Sequence, residues 1–179
     1  IAAIGFAFIP ASIVAFIVQE RESASKHLQI ISGVSTTAYW TANFVWDFIN
    51  FLPPTLCGMA IFAIFDVNTL TGEASGVFLL ASLLYASSII TFTYCVSFLF
   101  SNASSAQNTM LKVYIFSGAI LLIATIIMSI IPSTKDINEK LKYVYRLVPS
   151  FSFGEVVINL MTRDSYIVFG SKKQPTDFA

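Results

Sequence analysis

Apolar residues run without a charge from Ile1 to Val18, and the run stops at Gln19. Glu20, Arg21 and Glu22 follow at once, then Lys26 and His27, before the chain turns apolar and aromatic again. Three further apolar stretches succeed it: Ala38 to Phe65, Gly76 to Phe100 and Leu111 to Ile131. Spanning a bilayer core of about 30 Å takes roughly 20 helical residues at 1.5 Å each, so the pattern predicts about four spans. Each must be helical, because unpaired backbone groups in lipid cost several kcal/mol apiece. The period-two alternation of a membrane barrel is missing.

Between and after these runs the chain is polar and short-ranged. Asp66 to Ser75 carries Asp66 and Glu73 without Lys or Arg, and Ser101 to Thr109 is small and polar. Beyond Pro132 a charged tail begins. Asp136 and Glu139 have capping-box spacing, and Ile137, Leu141, Val144 and Val148 then recur near helical spacing. Pro149 should end that helix, and Ser152 with Glu155 would cap a second one over Phe153 to Met161. Both pieces are too short to span. They suggest a hairpin dipping into the membrane surface; one interfacial helix followed by disordered chain is the alternative. Gly170 to Ala179 reads as a loop leading elsewhere.

Composition agrees with a membrane chain. It is 56% hydrophobic and 11% charged, against about 25% charged in an ordinary soluble domain. A formal net charge of zero argues against a nucleic-acid partner. Cys57 and Cys95 lie inside apolar runs and read as buried thiols. The chain starts inside a hydrophobic run without a preceding Met, a basic n-region or a cleavage site. It reads as a segment of a larger polypeptide rather than one led by a signal peptide.

By the positive-inside rule the Arg21/Lys26 loop and the loop near Lys112 are cytoplasmic. Lys135, Lys140, Lys142 and Arg146 then fall outside, which opposes the rule; the short loops carry more weight, since long segments cross despite their charge. The sequon Asn102-Ala103-Ser104 is then cytoplasmic and unmodified.

Ser23 to Ser32 suits a short helix with Leu28 and Ile31 on one face, ended by Gly33, with Ser35, Thr36 or Thr37 capping the next span. Residues alone leave three readings open: a solvated loop, a helix lying on lipid, or a docking knob for a cytoplasmic partner. Asp47 is an acid inside a span, either paired locally with Arg21 or Lys112 or serving as a polar lock to the cytoplasmic region. Pro53 and Pro54 cannot donate to Ile49 and Asn50, so a kink is expected, as a hinge or as a packing device. No P-loop is present; Gly170-Ser171-Lys172-Lys173 lacks the first glycine and the hydroxyl. His27 is the single histidine. No catalytic, cofactor-binding or metal residues are assigned. The hydroxyls of Ser87, Ser88, Thr91 and Thr93 are expected to bond within the bundle.

The stretch from Phe8 to Phe48 resembles the transmembrane domains of ABCA-subfamily ATP-binding-cassette transporters, most like their C-terminal half. The pieces that carry the resemblance are Pro10-Ala11-Ser12, Gln19-Glu20-Arg21, Ser25-Lys26-His27-Leu28-Gln29, Ile31-Ser32-Gly33, Tyr39-Trp40 and Asn43-Phe44-Val45-Trp46-Asp47. Pro149 to Gly154 is similar to the family's proline-to-glycine turn in an outer-face hairpin.

The resemblance implies an all-α membrane protein, a partial six-helix exporter-type domain with about four spans and an outer helical hairpin. It implies transmembrane helices over 1–132 with a coupling helix at 23–33, a re-entrant hairpin over 133–162, and a loop at 163–179 toward a missing last span. Glu20, Arg21, Lys26, His27, Leu28, Ile31 and Gly33 would face a nucleotide-binding domain, Asp47 would be the lock, Pro53 and Pro54 the hinge, and Pro149 and Gly154 the outer turn. The implied function is the membrane part of an ATP-driven phospholipid or sterol transporter. This segment would hold no cofactor and be no enzyme; ATP and Mg would belong to the full-length ATPase. Its partners would be membrane lipids, the nucleotide-binding domains of the same polypeptide and the other transmembrane half. It would be an integral, multi-pass protein of an unspecified membrane. An ion-coupled carrier or channel fragment is the alternative.

Overall fold

The computed structural model describes the backbone of residues 2–64, 73–131 and 134–170; the side chains of residues 2–4, 62, 73–74, 130, 135–136 and 161–170 lie outside the description. The expected second loop and the last nine residues fall largely or wholly beyond it. Every regular element among the described residues is helical: α1 (Ala2–Glu22), α2 (Ser25–Ile31), α3 (Thr36–Ile64), α4 (Glu73–Ser97), α5 (Ala103–Ile115), α6 (Leu121–Ile130), α7 (Lys135–Tyr145) and α8 (Pro149–Gly170). A π-helical turn, Phe116–Ile120, joins α5 to α6 without a break.

Among the described residues, three helical stretches are long and apolar enough to cross a membrane: Thr36–Ile61, Ser75–Ser97 and Ala103–Ser129. The first expected span, Ile1 to Val18, corresponds to α1. Its last turn is Gln19-Glu20-Arg21-Glu22.

α1 is the centre of the bundle. Ala11, Ile13, Val14, Ile17 and Val18 are buried, and the helix packs mainly on α5 and α4. Burying it stabilises through van der Waals packing, since lipid tails offer no hydrophobic gain over a neighbouring helix. α3 is peripheral, resting on α4 and exposing Trp46, Ile49, Leu56 and Ile61. At mid-height, aromatic rings from four helices meet. Phe6 stacks on Phe51 with centroids 5.5 Å apart, Phe51 meets Tyr85 at 5.7 Å, and Tyr85 stacks on Phe153 at 4.4 Å. Such pairs contribute about 0.5–1.5 kcal/mol each beyond their area. They seat α8 against the bundle core.

Several sequence expectations change. The Ser101–Thr109 segment is not a loop: the fourth span begins at Ala103, because Asn102 caps it by accepting from Ser105 N at 3.0 Å. Small polar residues hid a helix there. Cys57 and Cys95 are exposed rather than buried, on the outer faces of α3 and α4. α7 starts at Lys135 with Thr134 as N-cap and no side-chain cap, so Asp136 sits within the helix rather than at its cap. α8 starts at Pro149, ahead of the expected Phe153, and runs to Gly170. Proline is well suited to a first helical turn, whose N–H groups lack intrahelical partners. Residues 163–170 therefore continue a helix where a loop was expected.

Candidate functional site

The end of α1 is built by two backbone devices. Ala24 adopts the left-handed conformation (φ 57°), which breaks α1 from α2. α2 ends in a Schellman motif: Gly33 (φ 100°) donates to Ile30 O at 3.1 Å, and Val34 donates to Gln29 O at 3.1 Å. Ser35 then caps α3, its hydroxyl accepting from Ala38 N at 3.2 Å. Replacing Gly33 with Ala should cost about 1 kcal/mol, and replacing Ala24 with Gly should gain roughly 0.5 kcal/mol, because only glycine takes a positive φ without strain. Thermal unfolding of the full-length protein in detergent checks both signs; equal midpoints for Gly33→Ala and the parent would refute the first.

The three charged residues closing α1 spread to three different neighbours. Glu20 accepts from Tyr39 OH at 2.5 Å and from Gln29 Nε2 at 3.3 Å, joining α1 to α3 and α2. Arg21 Nη2 donates to Ser97 O at 2.8 Å, the last carbonyl of α4, and also to Phe100 O in the segment that follows. Glu22 accepts from Asn102 Nδ2 and Ala103 N, each at 3.2 Å, which places a negative charge at the positive N-terminal end of α5.

α2 itself is held by a cation over aromatic faces. Lys26 Nζ lies 4.0 Å from the Trp40 ring centroid and 4.6 Å from that of Tyr39. Cation–π contacts contribute about 0.5–2 kcal/mol as desolvation increases. Burial, and then the nearby Arg21 charge, pull the Lys26 ammonium below its ordinary pKa.

The seven residues read from sequence as one contact surface thus divide. Glu20, Arg21 and Lys26 face this chain's own helices. Gly33 shapes the exit turn. His27, Leu28 and Ile31 point outward, with Leu28 62% and Ile31 69% exposed, and Ile30 and Val34 extend the apolar patch.

Asp47 pairs with neither Arg21 nor Lys112. Its Oδ2 accepts from Tyr94 OH at 2.5 Å, which ties α3 to α4. Trp40 lies between the two tyrosines that bond acids, 5.2 Å from Tyr39 and 5.1 Å from Tyr94. Residues 47 and 94 are too far apart in sequence for any local signal to join them. Tyr39, Tyr94, Glu22 and Asn102 are the residues that sequence reasoning missed; Asn102 alone announced itself, through N-cap chemistry.

α3 continues through Pro53 and Pro54. In the adjoining turn Phe51 is fully buried in the aromatic cluster, and Thr55 Oγ1 donates to Phe51 O at 3.0 Å. At the far end, Pro149 opens α8, whereas Gly154 is inside that helix and not in a turn. The turn is made by Arg146 to Val148, with Leu147 N bonding Val144 O and Val148 N bonding Tyr145 O. Gly154 instead permits close approach to Leu122 of α6. The Ser87, Thr91 and Thr93 hydroxyls bond within the bundle as expected. Ser87 and Thr91 bond backbone carbonyls one turn back, and Thr93 shares a 2.6 Å hydrogen bond with Tyr114 OH.

Residues 1–171 match the family described as ABC-2 family transporter protein. Over 175 residues the chain is 33% identical to ATP-binding cassette sub-family A member 2 of Rattus norvegicus, covering 93% of this chain and 7% of that protein. It is 34% identical over 159 residues to Phospholipid-transporting ATPase ABCA3 of Rattus norvegicus, with 87% and 9% covered. It is 33% identical over 179 residues to Retinal-specific phospholipid-transporting ATPase ABCA4 of Homo sapiens, with 96% and 8% covered. The chain therefore spans less than a tenth of the length of these relatives.

Proposed function

Since this chain belongs to the ABC-2 transporter family and its relatives are ABCA-subfamily members, we propose that it is the membrane-spanning part of an ATP-driven lipid transporter, with α2 as its coupling helix. The observation that supports this most is the division at the end of α1. One side of the junction bonds α2, α3, α4 and α5 through Glu20, Arg21 and Glu22. The other presents Leu28 and Ile31 to the exterior. A surface that only had to be soluble would not expose large aliphatic side chains together, and a hydrophobic knob suits a groove on a nucleotide-binding domain of the same polypeptide.

In this reading ATP and Mg act on the nucleotide-binding domains. Their displacement shifts the spans between two packings. Lipid moves along the lateral apolar surface rather than through a polar pore. Asp47, with Tyr94, holds α3 to α4 as they move, and Pro53 and Pro54 are where α3 bends. The ion-coupled alternative rests on Asp47 alone, and Tyr94 already engages that carboxylate.

The test uses the full-length polypeptide in phospholipid vesicles. Leu28→Asp with Ile31→Asp should lower lipid-stimulated ATP hydrolysis about fivefold, roughly 1 kcal/mol of coupling, while nucleotide binding is retained. Unchanged stimulation would remove α2 as the coupling element.

A further inference from the structure

Beside the central part of the α4 span, the turn from α7 into α8 opens a cavity of about 290 Å³. Ala81, Leu84 and Ser88 form its α4 wall, and Arg146, Ser152 and Val156 face them. The Tyr85–Phe153 stack closes its inner side. Arg146, which lines it, forms a bidentate pair with Glu155 of the adjoining turn of α8: Nε donates to Oε2 and Nη2 to Oε1, both at 2.8 Å. Ser152 Oγ donates to Arg146 O at 2.9 Å and fixes the turn beneath the guanidinium.

The depth of this pair is what calls for an explanation. The α4 residues beside it lie well inside a 23-residue apolar stretch, not at its ends. Ionisable groups at such depth are costly, and they commonly line a substrate path. As a fastening the pair is a poor device, since ion pairs recover little beyond their desolvation cost. The Arg146 side chain is nevertheless 48% exposed and lines this cavity as well as a recess with Glu139, Lys140, Lys142 and Tyr143, while Glu155 is 19% exposed. Binding Glu155 uses two of the five guanidinium N–H donors, which leaves a second edge for another oxyanion. The pair is neutral in sum and presents one charge of each sign.

We propose that this cavity is a transient seat for the headgroup of a zwitterionic phospholipid, its phosphate on Arg146 and its ammonium group beside Glu155. The proposal rests on the lipid-transporter reading and deepens it. The volume suits a headgroup and not a whole lipid, so the acyl chains stay outside, along Ala81 and Leu84. That geometry lets a polar headgroup pause partway across while its tails remain in the bilayer. Charge complementarity argues for a headgroup carrying both signs over a neutral sterol, which would leave both charges unused.

The experiment uses the full-length polypeptide in vesicles of equal phosphatidylcholine and phosphatidylserine. A phosphatidylcholine with a photoreactive headgroup should label residues between Ala81 and Ser88 or between Arg146 and Val156. Arg146→Gln should cut that labelling about tenfold. Glu155→Gln, which leaves the cation uncompensated, should shift labelling about fivefold toward a matching phosphatidylserine probe. A pair that serves structure alone would lower both labels together, leave their ratio unchanged and overturn the proposal. Labelling confined to other helices would overturn it as well. The readout needs no ATP turnover, so failure of α2 as the coupling element would appear in the hydrolysis assay and leave this result standing.

Discussion

Arg21→Met in the full-length protein should reduce lipid moved per ATP hydrolysed at least tenfold, with nucleotide binding intact. The guanidinium bonds Ser97 O, which also accepts from Phe100 N at 3.3 Å, and Phe100 O just past the end of α4, so it fastens the exit of that helix to α1. Hydrogen bonds from a charged donor contribute about 1.5–3 kcal/mol, and methionine keeps the apolar stem while deleting them. A tenfold change corresponds to about 1.4 kcal/mol, so losing part of this interaction suffices. Arg21→Lys should recover only part of the coupling, because a single ammonium does not match the planar fork. Transport and hydrolysis measured on the same vesicles give the ratio. Wild-type coupling in Arg21→Met would show that the α1–α4 junction carries no motion.

Gly154→Ala should destabilise the packing of α8 on α6 by about 1–3 kcal/mol, the usual range for overfilling a packed core. A Cβ at this position would overlap Cδ1 of Leu122 and stand 3.2 Å from its Cγ. Leu122 is itself buried, so it cannot swing into open space. Leu122→Ala should relieve the clash. The two substitutions should therefore be less damaging together than their separate costs imply, with a coupling above about 0.5 kcal/mol. Thermal unfolding of the two single variants and the double variant supplies the cycle. Strict additivity would mean that the two residues do not meet.

The helical architecture was legible because lipid imposes it: long apolar runs without charges admit few alternatives, and α3 and α4 fall within a few residues of where hydropathy puts them. The exit turn of α2 was legible too, since a glycine after a short amphipathic stretch is a local signal. What escaped were features set by contacts distant in sequence. Nothing near Glu22 points to Asn102, and nothing near Asp47 points to Tyr94. The start of α5 was obscured by small residues whose intrinsic preference is weak, and the Asn102 cap settles it. The resemblance implied a turn at Gly154, and glycine itself does not decide the matter. It serves close approach as readily as chain reversal, and only the position of Leu122 decides between them. The charged residues from Glu20 to Lys26 were picked out by their place between two apolar runs, but whether they face outward or inward depends on the carbonyls and rings that surround them.

Consecutive residues on a helix project about 100° apart around its axis. Glu20, Arg21 and Glu22 therefore reach out in three well-separated azimuths, and each meets a different neighbour. A twist of α1 about its own axis would deliver torque to α3, α4 and α5 in one rotational sense, whereas a sideways push would have to compress one partner while stretching another. In the proposed transporter such a joint would tend to move its three partners together, leaving flexing to places farther along the helices.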